Sequence, residues 1–194
     1  QADYKVVESL GFSNETQGHP FLAPKNFAVE DFADYKAKLR RAKVVLDAAD
    51  RRAKIERDIK KLAKAEGLVV KDDPALLDEV AGLVEWPVVH LGAIDDEFTG
   101  LPDEVLTAAM RSHQRYFSLL GEDGALASRF GLVANMTARD KGRVIVAGNE
   151  RVLRARLADA KFFWDQDRKT PLVERASALK GMVFHAKLGS LDEK

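Results

Sequence analysis

The sequence predicts an α+β fold: a mixed, largely antiparallel sheet packed with helices, plus a long basic helix or helical hairpin. Three observations carry this. Between Asp31 and Glu66, Val45, Ala48, Arg52, Ile55, Ile59 and Leu62 recur at alternating steps of three and four, the spacing of one helix face. The apolar runs "RYFSLL" and "RFGLVANM" flank the turn-forming "GEDGALAS", which reads as an antiparallel strand pair. The stretch "GNERVLRARLADAKFFWDQDRK", residues 148–169, reads as an amphipathic helix with an aromatic end.

Taken in order, "SNETQGHPFLAP" supplies turn formers and then a short apolar run, a loop leading into a strand or extended segment. The basic helical segment follows over about 31–66. Its apolar stripe is narrow, so much of it should stay in water, and Gly67 is placed to end it. Pro74 to Glu85 is a shorter helix with Leu76, Leu77, Val80, Leu83 and Val84 on its apolar face. "WPVVHLGAI" reads as a buried strand whose Pro87 must sit at its start or on an edge. "LPDEVLTAAMRSHQ" is a helix with Pro102 in its first turn and acids that complement the helix dipole. The long helix is expected to begin near Gly148 or Asn149, and Pro171 to open a last helix reaching about Lys180.

A chain of 194 residues with 46% hydrophobic content can bury a real core. It has no cysteine, hence no disulfide framework and no thiolate chemistry, which suits a reducing compartment; cytoplasm is the expected location. No apolar run approaches membrane-spanning length. The chain opens on Gln1 rather than Met, which suggests a piece of a longer protein.

Basic and acidic residues balance at 31 each, but they are segregated. From Lys36 to Lys64 twelve cations face four acids, whereas from Glu66 to Glu104 eleven acids face Lys71 alone. Such segregation can steer a polyanion towards one face. The basic helix has two readings, a solvated face or a phosphate-contacting surface. The candidates for the second are Lys36, Arg40, Arg41, Arg51 and Arg52, with Arg151 and Arg154 on the long helix.

No catalytic constellation emerges. His19, His90, His113 and His185 are scattered without ligand spacing, so no metal site is expected. There is no nucleophile elbow, no phosphate-binding loop and no dinucleotide fingerprint. The three acids of "IDDEF" are adjacent and therefore diverge. Tyr116, Phe117, Phe130, Phe162, Phe163 and Trp164 sit in apolar patterns and read as core before they read as base-stacking platforms. At about 100° per residue, Arg156 and Asp159 fall beside the apolar column of the long helix and read as a structural ion pair that locks it in register. Glu150 can pair with Arg154 at i, i+4.

At these residues a family resemblance enters. "GLVEWPVV" (82–89), "RYFSLLGEDGALASRFGLVANM" (115–136), "GNERVLRARLADAKFF" (148–163), "DRK" (167–169) and "LGSLDEK" (188–194) resemble the beta subunit of the bacterial two-subunit glycyl-tRNA synthetase. "TQGHPFLAP" and "ADYKAKLRRAKVVLD" resemble it too, so the likeness spans nearly the whole chain. One departure stands out: the family pattern Gly-His-Arg-Phe is here Gly18, His19, Pro20 and Phe21.

The resemblance implies a non-catalytic part of a class II aminoacyl-tRNA synthetase. It implies that residues 1–182 resemble the B3/B4 domain of the phenylalanyl-tRNA synthetase beta subunit, with the basic helices as an insertion, and that 183–194 begin an HD-like helical domain. The expected partners are the alpha subunit, which holds ATP, Mg and glycine, and tRNA(Gly); no cofactor, membrane or DNA is expected for this piece. The resemblance also raises a rival, hydrolytic editing of mischarged tRNA. Glycine argues against it, since a tight synthetic pocket rejects every larger amino acid by overlap. A purely structural brace is the third reading.

Overall fold

The structure is a computed structural model that describes residues 13–176, 179, 182–185 and 189–190. It opens with a small hairpin, β1 (Glu15–Gln17) paired antiparallel with β2 (Asn26–Ala28), Thr16 opposite Phe27. The expected order is overturned: the turn formers hold β1, and the apolar run at 21–23 lies in the connection between the two strands.

The basic segment is the hairpin alternative: α1 (Phe32–Arg41) and α2 (Ala48–Ala65). Each helix begins at an aspartate whose carboxylate accepts an orphan first-turn amide, Asp31 from Asp34 N–H at 2.8 Å and Asp47 from Ala49 N–H at 2.9 Å. Lys43 turns the chain between them with φ 63. α2 buries only Ile55, Ile59 and Ala63, the narrow stripe its spacing predicts, and Gly67 follows it with φ +71. A third aspartate, Asp73, caps α3 (Pro74–Leu83) through Leu76 N–H, with Pro74 in its first turn.

The central sheet has the order β3 (Val69–Val70), β5 (Phe117–Leu120), β6 (Leu126–Ala134), β4 (Val88–Ala93), and every described pairing is antiparallel. Pro87 sits just before β4, where no ladder amide is needed. Alternation along the strands divides the residues between two cores. Val89 and Phe117 face α2 and α3, packing with Ile55, Ile59, Leu76, Leu77 and Val80. Phe130 and Leu132 face the other way, against Phe98, Leu106, Met110, Leu153 and Leu157. The result is three layers, helix on sheet on helix.

The second core is closed by α4 (Asp103–Ala108), which widens into a π turn over Ala109–Gln114, and by α5 (Arg143–Asp167). Two contacts of one ring fix it: Tyr116 stacks on Phe130 at 4.6 Å, and its hydroxyl donates to Asn149 Oδ1 at 2.6 Å. The helix starts five residues before the expected Gly148. Asp140 explains this, because its carboxylate accepts both Gly142 N–H and Val144 N–H and so starts the first turn there.

After α5, α6 (Leu172–Arg175) opens just past Pro171, where the last helix is expected; the expected end at Lys180 lies outside the described residues. The described part of 183–194 is a strand pair, β7 (Val183–His185) with β8 (Gly189–Ser190).

Candidate nucleic-acid interface

The seven predicted phosphate-binding cations divide sharply once their partners are seen. Three are committed to the fold. Arg51 donates from Nε to Ala81 O at 2.8 Å, and from Nη1 to Val45 O and Leu46 O at 2.8 and 2.7 Å. It thereby ties the α1–α2 link and the end of α3 to α2. Arg52 pairs with Asp78 at 2.6 Å and Glu56 at 3.2 Å, and Arg154 forks onto Asp95. That last pair displaces the expected Glu150 partner: Glu150 instead accepts Ala93 N–H at the edge of β4, at 2.8 Å.

Lys36, Arg40, Arg41 and Arg151 are exposed and make no side-chain hydrogen bond or ion pair among the described residues, although the Arg41 charge is felt at Asp34. Three of these four lie on α1. Lys38, also on α1, is held by Asp34 at 2.7 Å and Ala28 O. The bond from Lys38, first among the causes, keeps the Asp34 carboxyl below its ordinary pKa.

Five of the eleven segregated acids are spent on tertiary pairs. Arg129 reaches Glu66 at 2.6 Å, Arg111 reaches Asp73 at 2.5 Å and Arg115 reaches Glu79 at 2.5 Å. With Arg52–Asp78 and Arg154–Asp95, five members of the acidic stretch are neutralised by arginines from elsewhere in the chain.

The predicted ion pair of Arg156 and Asp159 does not form. Both are exposed, and no ion pair joins them. The reason is rotational. The inner face of α5 is set by Leu153 and Leu157, with Ile145 and Trp164 alongside. Arg156 and Asp159 lie about 60° and 120° to one side of Leu153, where water solvates each head and little is gained by pairing. They border an open groove against Ala109, Ser112 and His113 of the π turn.

The aromatics also divide. Tyr116, Phe117 and Phe130 are core; Trp164 is half-buried; Phe162 and Phe163 are exposed and touch edge to face at 5.5 Å.

Sequence reasoning underweighted the loop at Gly18–Leu22. His19 is fully buried and saturated: Nε2–H donates to Asn135 O at 2.6 Å, and Nδ1 accepts Phe21 N–H and Leu22 N–H at 3.2 Å. Its backbone amide donates to Ala42 O at 2.9 Å, just after α1. One residue, through its ring and its backbone amide, thus joins this loop, the end of α1 and the end of β6. The turn chemistry around it gave the loop, but nothing local pointed to Asn135, 116 residues away.

His90 has its Nε2 buried without a partner and lies against Gly142, the residue before α5. Burial, its leading cause, lowers its pKa, opposed by the Asp140 charge. Among the described residues no group of three His, Asp or Glu side chains is placed to hold a metal ion, and no helix is long and apolar enough to cross a membrane.

The family model for the glycyl-tRNA synthetase beta subunit matches residues 4–194. The chain is 58% identical over 185 residues to the glycine–tRNA ligase beta subunit of Rhodospirillum centenum, covering 95% of this chain and 26% of that protein. It is 48% identical to the corresponding subunits of Paracoccus denitrificans and Phenylobacterium zucineum, covering 95% and 97% of this chain and 27% and 28% of theirs. It therefore spans about a quarter of the length of the curated relatives it matches. With a match over nearly its full length, the chain belongs to the glycyl-tRNA synthetase beta subunit family.

Proposed function

We propose that this chain is a non-catalytic part of the beta subunit that supports tRNA(Gly) recognition and assembly with the catalytic alpha subunit. The observation that carries the reading is α1. Its Lys36, Arg40 and Arg41 stand in water without a hydrogen bond or ion pair to a carboxylate among the described residues, while most neighbouring arginines are tied into the fold. Such cations release condensed counterions when they meet phosphates. Assembly is supported by the apolar surface that α5 leaves in solvent, Val152, Phe162 and Phe163, which suits a protein contact. In this reading ATP and Mg belong to the alpha subunit, the complex works in the cytoplasm, residues 1–182 are a B3/B4-like body, and 183–194 lead into the next domain.

The test is charge reversal at Arg40 and Arg41 in the assembled enzyme, with tRNA affinity measured across a salt series. Arg51 and Arg52 must be spared, since reversing them would break the fold. The slope of log affinity on log salt should fall by about one for each phosphate that is no longer neutralised. An unchanged affinity and slope would leave a structural brace. Deacylation of mischarged tRNA above background would overturn the non-catalytic assignment.

A further inference from the structure

The His19 loop builds one wall of an open groove of about 530 Å³. Pro20 forms that wall, Val44, Val45 and Leu46 line it along the α1–α2 link, and Leu83 to Glu85 close it from the end of α3. Phe21, next to Pro20, is 80% exposed, and its ring lies 6.1 Å from the His19 imidazole, tilted against it. A phenyl ring left in water beside a rigid anchor forgoes contact energy that a flat partner would restore.

The groove is polar as well as apolar. Asn135 Oδ1 accepts Glu85 N–H and Trp86 N–H, both at 2.8 Å, which fixes the orientation of the amide. Its NH2 is left without a partner among the described residues, as is the Glu85 carboxylate, and both residues line the groove. A donor and an acceptor therefore line a groove whose Pro20 wall is followed in the chain by an exposed ring, Phe21. The free Arg40 and Arg41 end the helix whose next carbonyl, Ala42 O, holds the His19 amide.

We propose that this groove receives one unpaired nucleotide of the bound RNA, its base stacked on Phe21 and its edge read by Asn135 and Glu85, with Arg40 and Arg41 holding the adjoining phosphates. The assignment rests on the RNA-binding reading above and adds a base-contacting site to it. A stack joined to cations and to a free donor and acceptor suits a nucleotide better than an apolar protein segment, which would leave the amide and carboxylate unpaired. His19 is the positioning residue, because it sets Asn135 and the Phe21 loop against each other.

The experiment compares Phe21→Ala, Phe21→Trp and the Arg40→Glu/Arg41→Glu pair in the assembled alpha–beta enzyme, with a tRNA(Gly) transcript as probe. Phe21→Ala should weaken binding about tenfold or more at every salt concentration and leave the salt slope unchanged, because stacking releases no counterions. Phe21→Trp should keep or tighten binding. Thermal melting should be unmoved in both, since the Phe21 side chain is 80% exposed. If the charge-reversed pair loses affinity while Phe21→Ala binds like the parent, the stack is overturned and the RNA surface stands. If neither variant changes binding, both readings fail. If Phe21→Ala instead releases the alpha subunit while the enzyme that remains assembled keeps its tRNA affinity, the groove is a protein contact and the nucleotide site is overturned.

Discussion

At the scale of single residues, the buried polar groups carry the most testable physics. His19 makes three side-chain hydrogen bonds from a fully buried ring, so His19→Ala leaves the Asn135 carbonyl and two loop amides without their partner. A loss of about 2–3 kcal/mol in urea unfolding is expected from that desolvation. Tyr116 gives a pH signature. Burial pushes its phenol up to about 12, whereas an unfolded tyrosine ionises near 10. Between those values the unfolded chain has released a proton that the folded one keeps. Stability is therefore full below about pH 10 and falls as the pH rises towards 12. Unfolding at pH 9 and at pH 11 should show a larger drop for the parent than for Tyr116→Phe, which lacks the Asn149 bond at both. Gly142→Ala is the third case. The position has φ +87, and an added Cβ would overlap the His90 ring. A cost of about 1–3 kcal/mol is expected, read as a lower melting temperature. None of these three environments shows in the local sequence. A lone histidine, a tyrosine before a strand and a glycine before a helix each have many uses, and the partners at Asn135, Asn149 and His90 are distant in the chain.

At the scale of elements, Arg51 decides how the helical hairpin sits. It donates to three carbonyls from two separate segments, Val45 and Leu46 of the link and Ala81 of α3. Arg51→Lys keeps the charge but cannot span all three, so it should destabilise nearly as much as Arg51→Ala, about 2–3 kcal/mol by urea unfolding. A result in which lysine fully rescues would mean that charge alone holds this joint. The elements themselves were legible where periodicity is strong and turn residues bracket it: α2, α3, β4 and the β5–β6 pair sit where the spacing put them. The start of α5 was not. "RVIVAG" combines β-branched residues with a glycine, which weakens the helical signal, and the cap comes from the Asp140 side chain. The same limit applies to Arg156 and Asp159. Their position on the helix wheel was readable, but which side of that wheel met the sheet depended on Met110, Phe130 and Leu132.

At the scale of the whole molecule, the charge segregation proves to be architectural. The pattern was plain in the sequence, yet its use was not: it could have made one acidic and one basic face. Instead arginines from across the chain reach the acidic stretch at Glu66, Asp73, Asp78, Glu79 and Asp95. The hydrogen bonds from Arg111 and Arg154, the leading causes, hold Asp73 and Asp95 below the usual carboxylate range. Those carboxylates support the fold above their unfolded pKa, near 3.9, and the support is lost as pH falls through the lower folded value. Acid unfolding should therefore begin earlier in Asp73→Asn than in the parent, followed by circular dichroism. One further consequence belongs to Glu150. The outer margin of β4 is a row of backbone groups that another extended chain could copy, the usual seed of fibrous self-assembly. By taking the Ala93 amide, the Glu150 carboxylate plugs that row with a buttressing helix, and removing it should let copies of the chain polymerise on storage, seen as rising light scattering.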